Sequence, residues 1–144
     1  MQVNSDKTFC LRVGKTKELS PISYKTPEGT DIQQVDTMRD LGVLFETGGG
    51  FKAQIQKVKT RSNQQMAWIL RTFRNRLIFF MGFMFKTYIH PQSDFCSQLW
   101  SPSRASEIDS LEFIAQSWTR RCPAYKDLHH WDRLRLMQIT LRDT

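Results

Sequence analysis

Residues 51–76 read FKAQIQKVKTRSNQQMAWILRTFRNR, and their phase decides the fold. Apolar or small side chains fall at Phe51, Ile55, Val58, Ser62, Met66, Ile69 and Phe73, in steps of four and three. That spacing is one face of a long amphipathic α-helix. With Phe51 placed at zero and about 100° added per residue, Lys57, Arg61, Gln64, Trp68 and Arg71 gather on a stripe well away from that face.

The surrounding stretch, Thr47–Ser93, holds eight Lys or Arg and no Asp or Glu. Residues 1–46 carry six basic and seven acidic side chains, and residues 94–144 carry seven of each. The formal charge of +7 therefore sits in the middle third of the chain. An acid-free cationic helix suits a polyanion, since cations, an amide and a Trp in one line can follow a phosphate backbone and stack against a base. The plainer reading is equally open from charge alone: the cations face water and Trp68 packs on a neighbouring element.

Beyond this helix, Leu77–His90 reads as an apolar helix packed beside it, and Pro91 is expected to stop that helix after His90. A loop from Gln92 to Ser103 should follow. A third helix, about residues 104–121, is expected to start at a Ser103 or Ser106 cap. Its core face would be Ile108, Leu111, Ile114 or Ala115, and Trp118, with Arg120 and Arg121 at the C-terminal end where cations suit the helix dipole. A last amphipathic segment spans Trp131 to Ile139.

The N-terminal third reads differently. Thr8–Val13, Ile22–Lys25, Asp31–Val35 and Met38–Phe45 are short strand-like runs, broken by the turn tetrapeptide Thr26-Pro27-Glu28-Gly29. They predict a small antiparallel sheet of three or four strands that needs a helix against one face. Gly48-Gly49-Gly50 is followed by Phe51-Lys52-Ala53, which fails the Walker pattern and leaves a flexible strand-to-helix joint.

Composition bounds the rest. A hydrophobic fraction of 40% with ten Phe and four Trp argues for a packed core over disorder. The most apolar run, Leu77–Phe85, is too short to span a bilayer, and no membrane partner is expected. Met1–Asp6 is polar and lacks the apolar centre of a secretory signal, so an intracellular protein of the cytoplasm or nucleus is expected. Three scattered cysteines, Cys10, Cys96 and Cys122, agree with reduced thiols.

Catalytic and metal signals are weak. There is no Asp-Asp pair for a two-metal site and no Gly-x-Ser-x-Gly elbow. Cys96, Cys122, His129 and His130 match no common zinc spacing. No catalytic residue and no metal ligand is assigned.

Seven phrases in order carry a resemblance. They are Asp6-Lys7-Thr8 with Val13-Gly14, Met38-Arg39-Asp40-Leu41-Gly42-Val43, Leu70-Arg71-Thr72-Phe73-Arg74 and Lys86-Thr87-Tyr88-Ile89-His90-Pro91. Ser97-Gln98-Leu99-Trp100-Ser101-Pro102, Leu111-Glu112 with Gln116, and His130-Trp131-Asp132-Arg133-Leu134 complete the set. Together, over about residues 6–139, they resemble the C-terminal part of reverse transcriptases of non-LTR (LINE-type, jockey-like) retrotransposons, which are RNA-directed DNA polymerases. The resemblance implies a palm-edge or connector β segment over residues 1–46 and a helical thumb-like domain over residues 47–144. The expected fold is thus α+β, a small antiparallel sheet or hairpin followed by a thumb-like bundle of three to four helices.

In that family the thumb grips the template–primer duplex. The implied nucleic-acid-binding residues are Lys52, Lys57, Lys59, Arg61, Arg71 and Arg74, joined by Gln64 and Trp68 from the helical stripe. The expected partners are an RNA or DNA duplex and the fingers–palm portion of such an enzyme. Mg²⁺ is implied only for the complete polymerase, and no cofactor for this chain. The sequence departs from the family in having no counterpart of the fingers or of the Tyr-x-Asp-Asp palm motif. It reads Asp94-Phe95 where the family has Glu-Tyr, and it ends Thr140-Leu141-Arg142-Asp143-Thr144 in place of a basic tail. A fragment of a transposable element without polymerase activity of its own is therefore expected. The alternative is a structural or host-recruited protein-interaction fragment.

Overall fold

A computed structural model describes residues 4, 7–14, 23–74, 76–102, 104–123 and 126–137. The fold is α+β: a short antiparallel hairpin precedes the helices. The chain divides into two compact units, Met1–Gln54 and Ile55–Thr144, the division falling inside the long helix.

In the first unit the hairpin comprises β3 (Thr37–Asp40) and β4 (Val43–Glu46), preceded by β1 (Phe9–Cys10) and β2 (Gln33–Gln34). Met38 pairs with Phe45 and Arg39 with Leu44 across the hairpin. Leu41 and Gly42 form its two-residue turn, both with positive φ, as a right-twisted hairpin requires. The expected single antiparallel sheet is corrected. β1 and β2 pair in parallel as a separate two-stranded ladder, Phe9 opposite Gln33 and Cys10 opposite Gln34. The strand expected at Ile22–Lys25 reduces to a single bridge between Lys25 and Asp31, Ile22 lying outside the described residues. Asp31 holds this turn by accepting from Ser23 Oγ at 2.9 Å and pairing with Lys25 at 3.9 Å. The Thr26–Gly29 turn forms as expected, closed by the Gly29 N–H donating to Thr26 O.

The long helix, α1 (Lys52–Thr72), starts where Gly48–Gly50 ends. Its own first turn has no acidic residue. Glu46 supplies one from β4: its Oε2 accepts the Ala53 N–H at 3.3 Å, satisfying one of the free donors at the helix start. Buried Gln54 works in the other direction, its Oε1 accepting the Leu44 N–H at 3.1 Å and so occupying part of the hairpin edge. The C-terminal end is closed by a side chain. The Arg76 guanidinium donates to Phe73 O and, at 2.8 Å, to Leu70 O, two carbonyls that lie beyond the last helical turn's donors. The helix therefore stops at Thr72, short of the expected Arg76.

In the second unit Ile55, Val58, Ser62, Met66 and Ile69 are buried, as the period required. The next helix, α2 (Ile78–Met84), runs into a π-helical turn, Phe85–Ile89, and then α3 (His90–Asp94). Here the expected stop at Pro91 is overturned. The His90 N–H reaches back five residues to Phe85 O, and Pro91 falls in the first turn of α3, directly after this wider π turn. The expected loop from Gln92 is likewise partly helical, with α4 at Ser97–Trp100.

Helix α5 (Ala105–Thr119) buries Ile114, Ala115 and Trp118, while Leu111 is half-buried and Ile108 stays exposed. Its N-cap is Arg104, without a side-chain cap bond. Ser106 lies inside the helix, its carbonyl accepting from Ser110 Oγ, and Ser103 lies outside the described residues. Helix α6 (His130–Leu136) buries Arg133 and Leu134, followed by Met137, while Trp131 and Leu136 are exposed. Arg133 is buried because its Nη1 donates to Leu128 O at 2.7 Å, clamping the loop before α6. Ile139 lies outside the described residues.

Candidate nucleic-acid interface

The rotation of α1 orders its side chains. With Ile55, Val58, Ser62, Met66 and Ile69 turned inward, Arg61, Gln64, Trp68 and Arg71 are exposed and Lys57 is half-buried. From Lys57 to Arg71 the helix rises about 21 Å, which is about six base-pair steps of a duplex. No acidic side chain interrupts that length.

Trp68 is 52% exposed, and its ring meets Phe73 edge-on at 6.4 Å. Phe73 in turn meets Phe80 at 5.5 Å, so an aromatic row links the end of α1 to α2. One edge of Trp68 is therefore packed, and about half of the side chain is accessible.

The other assigned residues do not lie on this stripe. Lys52 is exposed in the first turn of α1, within the first unit. Lys59 is half-buried on a different side, its Nζ 5.8 Å from the Phe113 ring of α5, a cation–π contact that commits it to helix packing. Arg74 is exposed beyond the helix end.

Helix α2 departs from the expected buried apolar helix. Met81, Gly82 and Met84 are inside, whereas Phe79 is 84% exposed, and Leu77 and Phe83 are exposed as well. A helix that is apolar all round can bury only the side that meets a neighbour. The exposed Phe79 and Phe83 are one helical turn apart.

Polar chemistry missed in the sequence gathers near α3. His90 Nδ1 and Asp94 Oδ2 are 2.6 Å apart, four residues along the chain. The signal was present as a His-x3-Asp spacing, but the expected stop at His90 placed Asp94 in a loop. On α6, His130 is held below its ordinary imidazole value, first by burial and then by the charge of Arg133.

Among the described residues no group of three or more His, Cys, Asp or Glu side chains is placed to hold a metal ion. The zinc arrangement weighed for Cys122 is replaced by a thiol that donates to Arg76 O at 3.2 Å in the core. No helix among the described residues is long and apolar enough to cross a membrane. Comparison with protein-family models, curated proteins and solved structures finds no match.

Proposed function

We propose that this chain is a thumb-like region, resembling that of a non-LTR retrotransposon reverse transcriptase, that binds template–primer nucleic acid. The observation that carries the reading is the exposed, acid-free face of α1 formed by Arg61, Gln64, Trp68 and Arg71. Arg61 and Arg71, with Lys57 beside them, neutralise phosphates, while Gln64 adds a hydrogen bond and Trp68 stacks on a sugar or base. Lys52 and Arg74 extend the positive field at either end; Lys59 is set aside because its ammonium faces Phe113. An intracellular location, cytoplasm or nucleus, goes with this reading.

Salt titration of binding to a labelled DNA duplex tests it. If about four phosphates are contacted, log affinity falls with log salt at a slope near about −3.6. Arg61→Glu with Arg71→Glu should weaken binding at least tenfold, about 1.4 kcal/mol, and flatten that slope. A flat response in the native protein would overturn the proposal.

A second reading, a structural or protein-interaction fragment without nucleic-acid affinity, draws on exposed Leu77, Phe79 and Phe83. Such a surface fits packing against another protein, including a fingers–palm portion of a reverse transcriptase. It predicts self-association relieved by Phe79→Ser, with no change in nucleic-acid affinity.

A further inference from the structure

In the second unit a cavity of about 420 Å³ opens between the π turn, α3, α4 and α5. That volume lies within the range that small-molecule sites use. Its floor is apolar and buried, formed by Phe85, Trp100 and Ile114. Around it stand His90, Asp94 and Glu112, and among the described residues no Lys or Arg lines it. In a chain of formal charge +7, a recess whose ionisable rim holds two carboxylates and one imidazole has a charge character opposite to the whole.

The walls are held in place before any ligand arrives. The Trp100 indole N–H donates to Phe95 O at 2.8 Å. The His90 ring meets Phe85 edge-on at 5.9 Å, and its Nδ1 is bound to Asp94 Oδ2. Asp94 accepts His90 through one oxygen, which leaves its other carboxylate oxygen for a further donor. Rings whose orientation is fixed by hydrogen bonds lose little freedom when a ligand enters.

We infer that this cavity binds a small organic cation, an aromatic or alicyclic body carrying one protonated amine. The apolar body would lie against Ile114 and the faces or edges of Phe85 and Trp100. The ammonium would be held at the rim by Asp94 and Glu112. Carboxylates beside aromatic rings attract a cation through charge and through the ring quadrupole together. An anionic ligand would meet two carboxylates with no Lys or Arg among the described lining residues to offset them. This site is independent of the proposed α1 interface and shares no residue with it.

The test uses the full chain and two probes of matched shape, 2-phenylethylamine and the neutral 2-phenylethanol, in calorimetric titration at neutral pH. The amine should bind saturably at one site with a dissociation constant near or below about 1 mM, and the alcohol at least tenfold more weakly. Asp94→Asn and Glu112→Gln should each weaken the amine severalfold and leave the alcohol unchanged. Equal binding of both probes would overturn the inference, leaving an apolar cavity without charge selection. Absence of saturable amine binding would overturn it as well. The comparison of probes is made on the native protein, so it stands whether or not either variant folds.

Discussion

The indole N–H of Trp118 donates to the backbone carbonyl of Met81 across 2.9 Å, joining α5 to α2 inside the second unit. Trp118 is fully buried, and the same carbonyl accepts the Phe85 N–H where α2 passes into the π turn. The changeover that lets α3 accommodate Pro91 is therefore tied directly to the core. Phe85 also lies 6.4 Å from the Trp118 ring.

Trp118→Phe should destabilise the protein by more than the hydrogen bond alone, about 1 kcal/mol, because the smaller ring also leaves a void. Trp118→Ala should cost about 3–5 kcal/mol, a large share of an ordinary domain's stability. Urea denaturation monitored by circular dichroism checks both, with the alanine variant the weaker.

Gly82→Ala should be destabilising although alanine is the better helix former. An added Cβ would lie 2.5 Å from the backbone oxygen of Met137, which cannot rotate away as a side chain would. The gain in helix propensity, about 1 kcal/mol, is opposed by overpacking of about 1–3 kcal/mol. Thermal melts of the native and Gly82→Ala chains should show the lower midpoint for the variant; an unchanged or higher midpoint contradicts the close approach.

Ser62→Ala should raise stability. Ser62 is fully buried on the core face of α1, and its hydroxyl has no hydrogen-bond partner. Removing an unsatisfied buried hydroxyl relieves a penalty of about 1–3 kcal/mol, and alanine adds helix propensity. A midpoint rise of roughly 2–4 °C for each kcal/mol relieved is expected in a thermal scan, with no change in nucleic-acid binding.

His130 should make the fold acid-sensitive. Burial and Arg133 hold its imidazole below the ordinary value of 6.5, so the folded state favours the neutral ring. Its contribution is present above the unfolded value and is lost as pH falls through the lowered folded value. His130→Gln should therefore lose less stability than the native chain between neutral pH and about pH 5. Urea midpoints across that interval give the comparison; parallel curves would exclude His130 as the cause.

How far the fold was legible depended on local pattern. The buried face of α1 was readable because five inward residues repeat at helical spacing and no Gly or Pro interrupts them. The exposed stripe followed from the same phase, although packing on Phe113 removed Lys59 from the assigned set. The π turn was not readable: proline's local preference argues for a stop, and only the five-residue step behind it makes continuation possible. The cavity beside α3 was hidden for the same reason.

The sequence by itself determined that a cationic amphipathic helix follows a strand-rich segment, since period, turn residues and charge are local properties. It also placed the helix-ending cations, such as Arg120 and Arg121, whose interaction with the dipole is local. Tertiary structure alone decided which side of an all-apolar helix is buried, leaving Phe79 outside and Met81 within. It decided too that Glu46 caps α1 and that Asp94 and Glu112 face one recess. Those outcomes depend on contacts between residues distant in the chain, whose geometry is set by which surfaces can pack together and by which buried donors and acceptors must find partners.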